Sequence, residues 1–380
     1  MEKNKLNHVY YIGFNANNAI CNDNFFSGSI TLYPTGENGN VFYSNNKIID
    51  RNRIDFEDKY TEYIYKNIKK IQSLNKCTEF MFFNEKIRKM CSKIKDVNFV
   101  RDNNYELTKF LNDKFKIRNY FKNKIPILDY EYCINNDSCT YYDLTLKMNC
   151  KQFVFQEEFG SGGDATILIS NESDYKTLLQ NDKKYCISKY IKNTPLNITL
   201  IIGKNNIVIF PISAQLIKII DNKFKYVGAD FAYANSLQDN IISEIYDYSN
   251  IIAKELQNKG YRGILGIDYI LTKEDKVYFM EINPRFQSSS FLLSIILNKS
   301  YNTSIAELNY LALNDKNIPE INLNEIKISF LNCNDIQPFD NYKEDYKIVN
   351  GYFPMNSSSY YRKVFNKSII NPVDFEMIDD

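Results

Sequence analysis

The chain has no tryptophan and a single histidine, His8, in 380 residues. One histidine leaves no Ser-His-Asp or Cys-His arrangement to build, so proton transfers must fall to other side chains or to the substrate. The eight cysteines (Cys21, Cys77, Cys91, Cys133, Cys139, Cys150, Cys186 and Cys333) are scattered and form no C-x-x-C pair. That pattern suggests neither a zinc site nor a disulfide framework, and reduced thiols in a cytoplasmic protein are the expectation. Glycine is sparse, with 13 residues, and neither G-x-G-x-x-G nor the Walker A pattern occurs. A dinucleotide-binding redox enzyme and a P-loop ATPase are therefore disfavoured. No apolar run reaches the roughly 18–20 residues of a membrane span. The opening MEKNKLNHVYYIGFNANN has too short an apolar run for a signal peptide. Charge of one sign is also lacking: 47 basic against 46 acidic residues give a net +1. There is no electrostatic case for a nucleic acid or anionic membrane partner.

Apolar content is ample at 44%, and the length suits two or three layered units. Residues 8–14 (HVYYIGF) and 79–83 (EFMFF) read as short buried strands, with helical apolar spacing over Ile54–Leu74 between them. Strand, helix and strand predict an α/β unit over about the first 100 residues. Asn112–Phe121 reads as a helix with Asn112 as its cap. Phe153–Gln156 and Ala165–Ser170 read as strands around the breaker Gly160-Ser161-Gly162-Gly163, a hairpin whose loop can approach a ligand closely. A short helix is expected at Ser173–Leu179, and strands at Tyr185–Ile191, Asn197–Ile202 and Ile207–Ile212. Ile242–Lys259 has helical periodicity and stops at Gly260. Ser288–Leu297 reads as a serine-capped helix, and the polar 331–380 segment as loops with a short strand at Tyr346–Tyr352.

The most informative stretch is YRGILGIDYILTKEDKVYFMEINPRFQSSS, residues 261–290. Two β-branched and aromatic runs, Ile264–Leu271 and Val277–Ile282, flank the turn-like TKEDK, which predicts a β-hairpin. Glu281 and Asn283 then share a face. With a four-residue loop, Lys273–Lys276, Asp268 stands opposite Glu281. Facing carboxylates repel. A hard divalent cation reverses that penalty, because carboxylate and amide oxygens are the ligands magnesium prefers. Arg285 follows at once, a planar donor suited to phosphate oxygens.

The Gly-rich hairpin, the strand and segment around Lys189, and the Asp268/Glu281/Asn283/Arg285 group occur in an order that resembles the ATP-grasp superfamily, over about residues 110–290. The strongest match is G-I-D-Y-x10-F-M-E-I-N-P-R. The resemblance implies a mixed α+β and α/β protein: an N-terminal α/β (pre-ATP-grasp) domain followed by a two-lobed ATP-grasp fold. The expected divisions are 1–110 for that first domain, 111–190 for the small lobe with its Gly-rich loop, 191–330 for the large lobe with the metal site, and 331–380 for a C-terminal extension. It implies ATP and Mg²⁺ as cofactors, with Mn²⁺ as the alternative ion. Glu281, Asn283 and Asp268 would hold the metal, and Arg285 the transferred phosphate. Gly160, Ser161, Gly162 and Gly163 would close over the phosphates through backbone N–H groups. Ser188, Lys189, Tyr190 and Ile191 would form the adenine hinge. Lys114 matches a nucleotide-contacting lysine, and Asn197 lies near a ribose or phosphate contact.

Three positions depart from the family's pattern. Gln156 stands where many relatives have a lysine, Ser188 where the hinge commonly begins with Glu or Gln, and Gly266 where some amino acid ligases have an arginine. The activity implied is a ligase joining a carboxylate to an amine, from an amino acid or peptide, through an acyl phosphate with release of ADP and phosphate. The alternatives are an ATP-grasp carboxylase or other acceptor-phosphorylating member, and a nucleotide-binding regulatory protein. The implied partners are small-molecule carboxylate and amine substrates. A homodimer through the first domain is a family-level expectation.

Overall fold

A computed structural model describes residues 9–15, 25–33, 41–44, 54–74, 78–82, 85–134, 140–158, 160, 165–178, 184–323, 326–333, 346–352 and 359–369. Ser161, Gly162, Gly163 and His8 lie outside the described residues.

The first unit is a four-stranded parallel sheet, ordered β3-β2-β1-β4, made by β1 (Val9–Asn15), β2 (Gly28–Tyr33), β3 (Val41–Ser44) and β4 (Glu79–Phe82). The crossover helix α1, Phe56–Leu74, buries Phe56, Tyr60, Ile64, Ile68 and Ile71. Those residues recur every three or four positions, which is one face of a helix. They pack on Ile12, Ile30 and Phe80 of the sheet. The second helix, α2 (Glu85–Cys91), follows β4 and carries Arg88.

Two helices then lead into the second unit, α3 (Tyr105–Asn112) and α4 (Lys114–Phe121). The expected single helix with Asn112 as its cap is corrected here. Asn112 is the last residue of α3, and Asp113 caps α4, accepting from Phe115 N and Lys116 N at 3.1 and 3.0 Å. A carboxylate does this job at least as well as an amide. It also brings Lys114 into the first turn of α4 and Arg118 one turn later on the same side.

The remaining strands join one large, predominantly antiparallel sheet. Its small-lobe end contains β5 (Tyr130–Ile134), β6 (Phe153–Glu157), β7 (Thr166–Ile169) and β8 (Lys184–Lys189), paired in the order β7-β6-β8-β5. Helices α5 (Tyr141–Met148) and α6 (Glu172–Leu178) cover it through Leu144, Tyr175 and Leu178. The large-lobe end contains β9 (Asn193–Ile202), β10 (Ile207–Ile209), β11 (Ser213–Ile220), β12 (Lys223–Asp230), β13 (Gly263–Thr272) and β14 (Val277–Asn283), with β14-β13-β9-β11-β12 adjacent in that order. The long helix α7, Asp239–Asn258, packs Ile241, Ile245, Ile252 and Leu256 onto this sheet and ends at Gly260, whose φ of 85° only glycine adopts without strain. The β11–β12 hairpin was not expected. Its two-residue turn is Asp221-Asn222, both at positive φ (51° and 61°), the geometry a tight hairpin needs.

Helices α8 (Ser290–Tyr301) and α9 (Ile305–Leu313) close the core shared with the first unit, where Phe291, Leu292 and Leu308 meet Val9, Tyr11 and Met81. The serine-capped helix expected from Ser288 begins two residues later, with Ser289 at its N-cap. The helix starts at Ser290, Ser289 makes no side-chain cap bond, and Ser290 Oγ instead accepts from Gln287 N at 2.9 Å. Beyond it, β15 (Ser329–Cys333), β16 (Tyr346–Tyr352) and β17 (Ser359–Phe365) extend the large sheet, β15 pairing with β12. A Cβ placed on Gly228 would stand 2.1 Å from the backbone oxygen of Phe330 in β15. Backbone cannot retreat as a side-chain tip can. Gly228→Ala is therefore expected to destabilise the protein by about 1–3 kcal/mol through overpacking, read as a lower urea midpoint with nucleotide absent.

Candidate active site

The β13–β14 hairpin sets the geometry of the site. Near its turn, Leu271 pairs with Val277, Ile270 with Tyr278 and Tyr269 with Phe279. That register continued would bring Met280 opposite Asp268. A β-bulge intervenes, and Asp268 pairs with Glu281 and Gly266 with Asn283. The expected acid pair is present, but a bulge at Met280 produces it rather than a regular ladder. Bulges re-aim side chains in this way. The Met280 carbonyl is held by Arg118 Nε at 2.8 Å.

On the same face, β9 supplies Asn197 opposite Asp268 and Thr199 opposite Gly266. Each carboxylate oxygen receives a donor. Asp268 Oδ1 accepts from Asn197 Nδ2 (2.5 Å) and Gln215 Nε2 (2.7 Å). Glu281 Oε2 lies 3.4 Å from Lys114 Nζ. The remaining oxygens, Asp268 Oδ2 and Glu281 Oε1, share one amide group, Asn283 Nδ2, at 2.9 and 3.4 Å. Arg285 Nη2 donates to Asn283 Oδ1 at 2.8 Å. Burial first, and then the charge of Glu281, push Asp268 up to about 7. Burial also works to raise Glu281, but Lys114, the hydrogen bond with Asp268, and the charges of Arg118 and Arg285 outweigh it and hold this acid below its ordinary range.

Two facing acids, one forced toward protonation, with the positive end of an amide drawn between them, describe a place that favours positive charge. Rotating the Asn283 amide would present its oxygen instead, giving three oxygen-bearing side chains, a donor set that suits magnesium. Among the described residues no three His, Cys, Asp or Glu side chains gather as a metal cluster, so any such set here includes the amide.

Lys114 is buried (5% exposed) and its Nζ also lies 3.4 Å from Gly160 O, which ties the start of the Gly-rich loop to Glu281. A Cβ on Gly160 would come 2.1 Å from Ala165 Cβ, so only glycine fits where this loop starts. Gln156 is buried beside them. Its Oε1 accepts from Arg118 Nη2 at 2.5 Å and its Nε2 donates to Thr166 Oγ1 at 3.5 Å. Asp268, Glu281, Asn283, Arg285, Asn197 and Lys114 thus form one bonded group, with Gln156 joined to it through Arg118.

The Ser188–Ile191 segment sits apart from that group. Ser188 is buried in β8 between Tyr130 of β5 and Val154 of β6, Lys189 is exposed, Tyr190 N donates to Gln152 O, and Ile191 O accepts from Asn193 Nδ2. Its link to the site is Cys186, two residues earlier on the same face, which Arg118 Nη1 contacts at 3.3 Å.

Sequence reasoning missed four members of the site: Arg118, Gln215, Thr199 and Gln287. Thr199 Oγ1 donates to Gln287 Oε1 at 3.1 Å, and a Cβ on Gly266 would fall 2.0 Å from Gln287 Cδ. The glycine at 266 thus leaves the space that the Gln287 carboxamide fills.

Residues 111–289 match the family model described as an ATP-grasp domain, and the chain carries that domain. Among characterised relatives, the [butirosin acyl-carrier protein]–L-glutamate ligase of Niallia circulans is 25% identical over 225 residues, 54% of this chain and 50% of that protein. The chain thus spans about half the length of that relative. Among solved structures, the biotin carboxylase domain of Hydrogenobacter thermophilus 2-oxoglutarate carboxylase, in complex with MgADP, ADP and bicarbonate, superposes with a TM-score of 0.65 at 11% identity, covering 94% of this chain and 86% of that one. The N5-carboxyaminoimidazole synthetase of Staphylococcus aureus with ADP gives 0.60 at 14% identity, over 96% and 94%. At such identities these structures establish the shared fold. Among the described residues no helix is long and apolar enough to cross a membrane.

Proposed function

We propose that this protein is an ATP-dependent ligase that joins a carboxylate to an amine by way of an acyl phosphate, with release of ADP and phosphate. The observation that carries the reading is the half-buried Asp268–Glu281 pair with Asn283 drawn between its members and Arg285 behind it. Mg²⁺, held by Asp268, Glu281 and Asn283, would neutralise charge at the triphosphate. Arg285 would hold the transferred phosphoryl group, and Asn197 and Gln215 would keep Asp268 turned toward the ion. Lys114 would report closure, because it touches both Glu281 and the first residue of the Gly-rich loop. That loop would shield the reactive acyl phosphate from water. No histidine occurs between residues 110 and 290, so loss of the amine proton is assigned to substrate phosphate oxygens or a carboxylate.

The relative's name narrows the trial substrates. It is named for joining L-glutamate to an acyl-carrier protein, so L-glutamate is the first amino acid to test here, both as the carboxylate and as the amine. The decisive experiment is a screen of amino acids in pairs with carboxylates for MgATP-dependent phosphate release, with mass spectrometry of the products. A ligase gives a new amide and stoichiometric ADP. Phosphate release that needs only bicarbonate would replace this reading with a carboxylase. Nucleotide binding without release under every condition would make the protein a nucleotide-binding regulator.

A further inference from the structure

A second constellation borders Arg285. Pro284, Arg285 and Phe286 form one wall of a cavity of about 40 Å³ whose other walls come from the first unit, the segment that joins it to α3, α3 itself, the start of β13 and α9, with Arg88, Asp102 and Asn103 among the lining residues. Nearly every polar group on these walls has a partner. Asp102 pairs with Arg88 Nε at 3.2 Å and accepts from Asn103 N at 2.7 Å. Asn103 is bonded to both backbone groups of Arg262, and the Arg262 guanidinium to Asp315. Arg285 reaches Asn283 Oδ1 and Phe286 O. Among the described residues the exception is Arg88 Nη1, a buried atom without a hydrogen-bond partner on a side chain that is otherwise 25% exposed. A sealed guanidinium N–H without an acceptor is rare in native proteins. A fold tolerates it where a ligand completes the bonding.

We infer that this cavity is the site for the carboxylate of an amino acid substrate, with Arg88 as its specificity-determining donor. Four arginines line the cavity, Arg88, Arg101, Arg262 and Arg285, and among them only Arg88 has a guanidinium nitrogen that is buried without a partner among the described residues. Size selects the ligand class. One water needs about 10–15 Å³ measured this way, so the space takes about three heavy atoms, a carboxylate and not a phosphate group. Position selects the substrate. The cavity begins at Pro284, the residue after Asn283, and shares Arg285 with the acid pair's hydrogen-bonded group, so an amino acid anchored there by its carboxylate would carry its amine toward the place where the acyl phosphate would form. The assignment of an amino acid rests on the ligase reading; the anion site itself does not.

Arg88→Lys is the variant of choice, because it keeps a cation beside Asp102 while removing the Nη1 donor. With the amino acid that best supports MgATP-dependent phosphate release in the full-length protein, Arg88→Lys is expected to raise KM about tenfold or more, the scale of one charge-assisted hydrogen bond. The fall in kcat is expected to be smaller, and the Kd for MgADP unchanged. The α-amide of that amino acid is expected to be a poor substrate for the unmodified protein. An unchanged KM in Arg88→Lys, or equal use of acid and amide, would overturn the proposal. A second arm uses acetate alone as the probe. Acetate is expected to raise the melting temperature of the unmodified protein but not of Arg88→Lys, and to appear against Arg88 in soaked crystals. Should no amino acid support phosphate release, the ligase reading falls and the acetate arm decides the anion site by itself. Equal acetate shifts in both proteins would then remove it.

Discussion

Glu281→Ala is expected to remove ATP-dependent phosphate release, by roughly 10³-fold or more, while leaving the protein folded. A metal ligand at a phosphoryl-transfer site supplies several kcal/mol of charge stabilisation, and each 1.4 kcal/mol is about tenfold in rate. The fold should survive because Glu281 is partly exposed and its removal relieves as much as it breaks. Lys114 loses its carboxylate but keeps Gly160 O, and Asp268 loses the like charge that now pushes it up. Glu281→Gln separates shape from charge. It fills the same space and can still accept from Asn283, yet offers a cation no negative charge. If charge at this position is what matters, the glutamine variant should be nearly as inactive as the alanine variant, and both should need more Mg²⁺ to bind ADP. Circular dichroism and urea midpoints close to those of the unmodified protein would exclude misfolding as the cause. Undiminished phosphate release from Glu281→Ala would remove the proposed metal site and the ligase reading with it.

Much of this site is legible in the sequence because one hairpin carries it. Alternating side chains put Asp268, Glu281 and Asn283 on one face, and the TKEDK turn marks where the chain reverses. What is not legible is how the acid pair is held. Arg118 is a basic residue on a short helix, which alone reads as a solvated side chain, yet it is 2% exposed in the structure. Its burial depends on β6, β8 and β14 meeting around it, and nothing local records that. Gln215 was missed for a simpler reason: the β11–β12 hairpin it sits on was not read, although Asp221-Asn222 between apolar runs is a turn signal. The Met280 bulge also escapes a pattern of alternation, since a ladder read from its turn outward has no reason to skip a residue. The helix boundary at Asn112 was misplaced by one because Asn and Asp both cap well and here they stand side by side.

Loss of Arg118 is accordingly expected to cost substantial stability. Its guanidinium bonds to the Met280 carbonyl, Gln156 Oε1 and Cys186 Sγ, so three strands and α4 meet at one side chain. Arg118→Met replaces the bulk of the stem and removes every donor. The Met280 carbonyl and the Gln156 oxygen are then buried without a partner, at about 1–3 kcal/mol each, and Glu281 loses one of the charges that keep it ionised. A total of about 2–6 kcal/mol is expected from these two groups, read as a fall in the urea midpoint. Activity should fall further than stability alone explains. Without Arg118 to hold its carbonyl, Met280 is free to rejoin the ladder, and a regular register would put it, not Glu281, opposite Asp268. Turnover measured well below the melting temperature is therefore expected to drop by about 10²-fold or more, on the scale of removing a catalytic donor, and Arg118→Lys, which restores one donor, to recover stability more than turnover. A variant that loses stability but keeps full turnover when folded would show that the bulge stands without Arg118, and that this arginine only fastens the sheet.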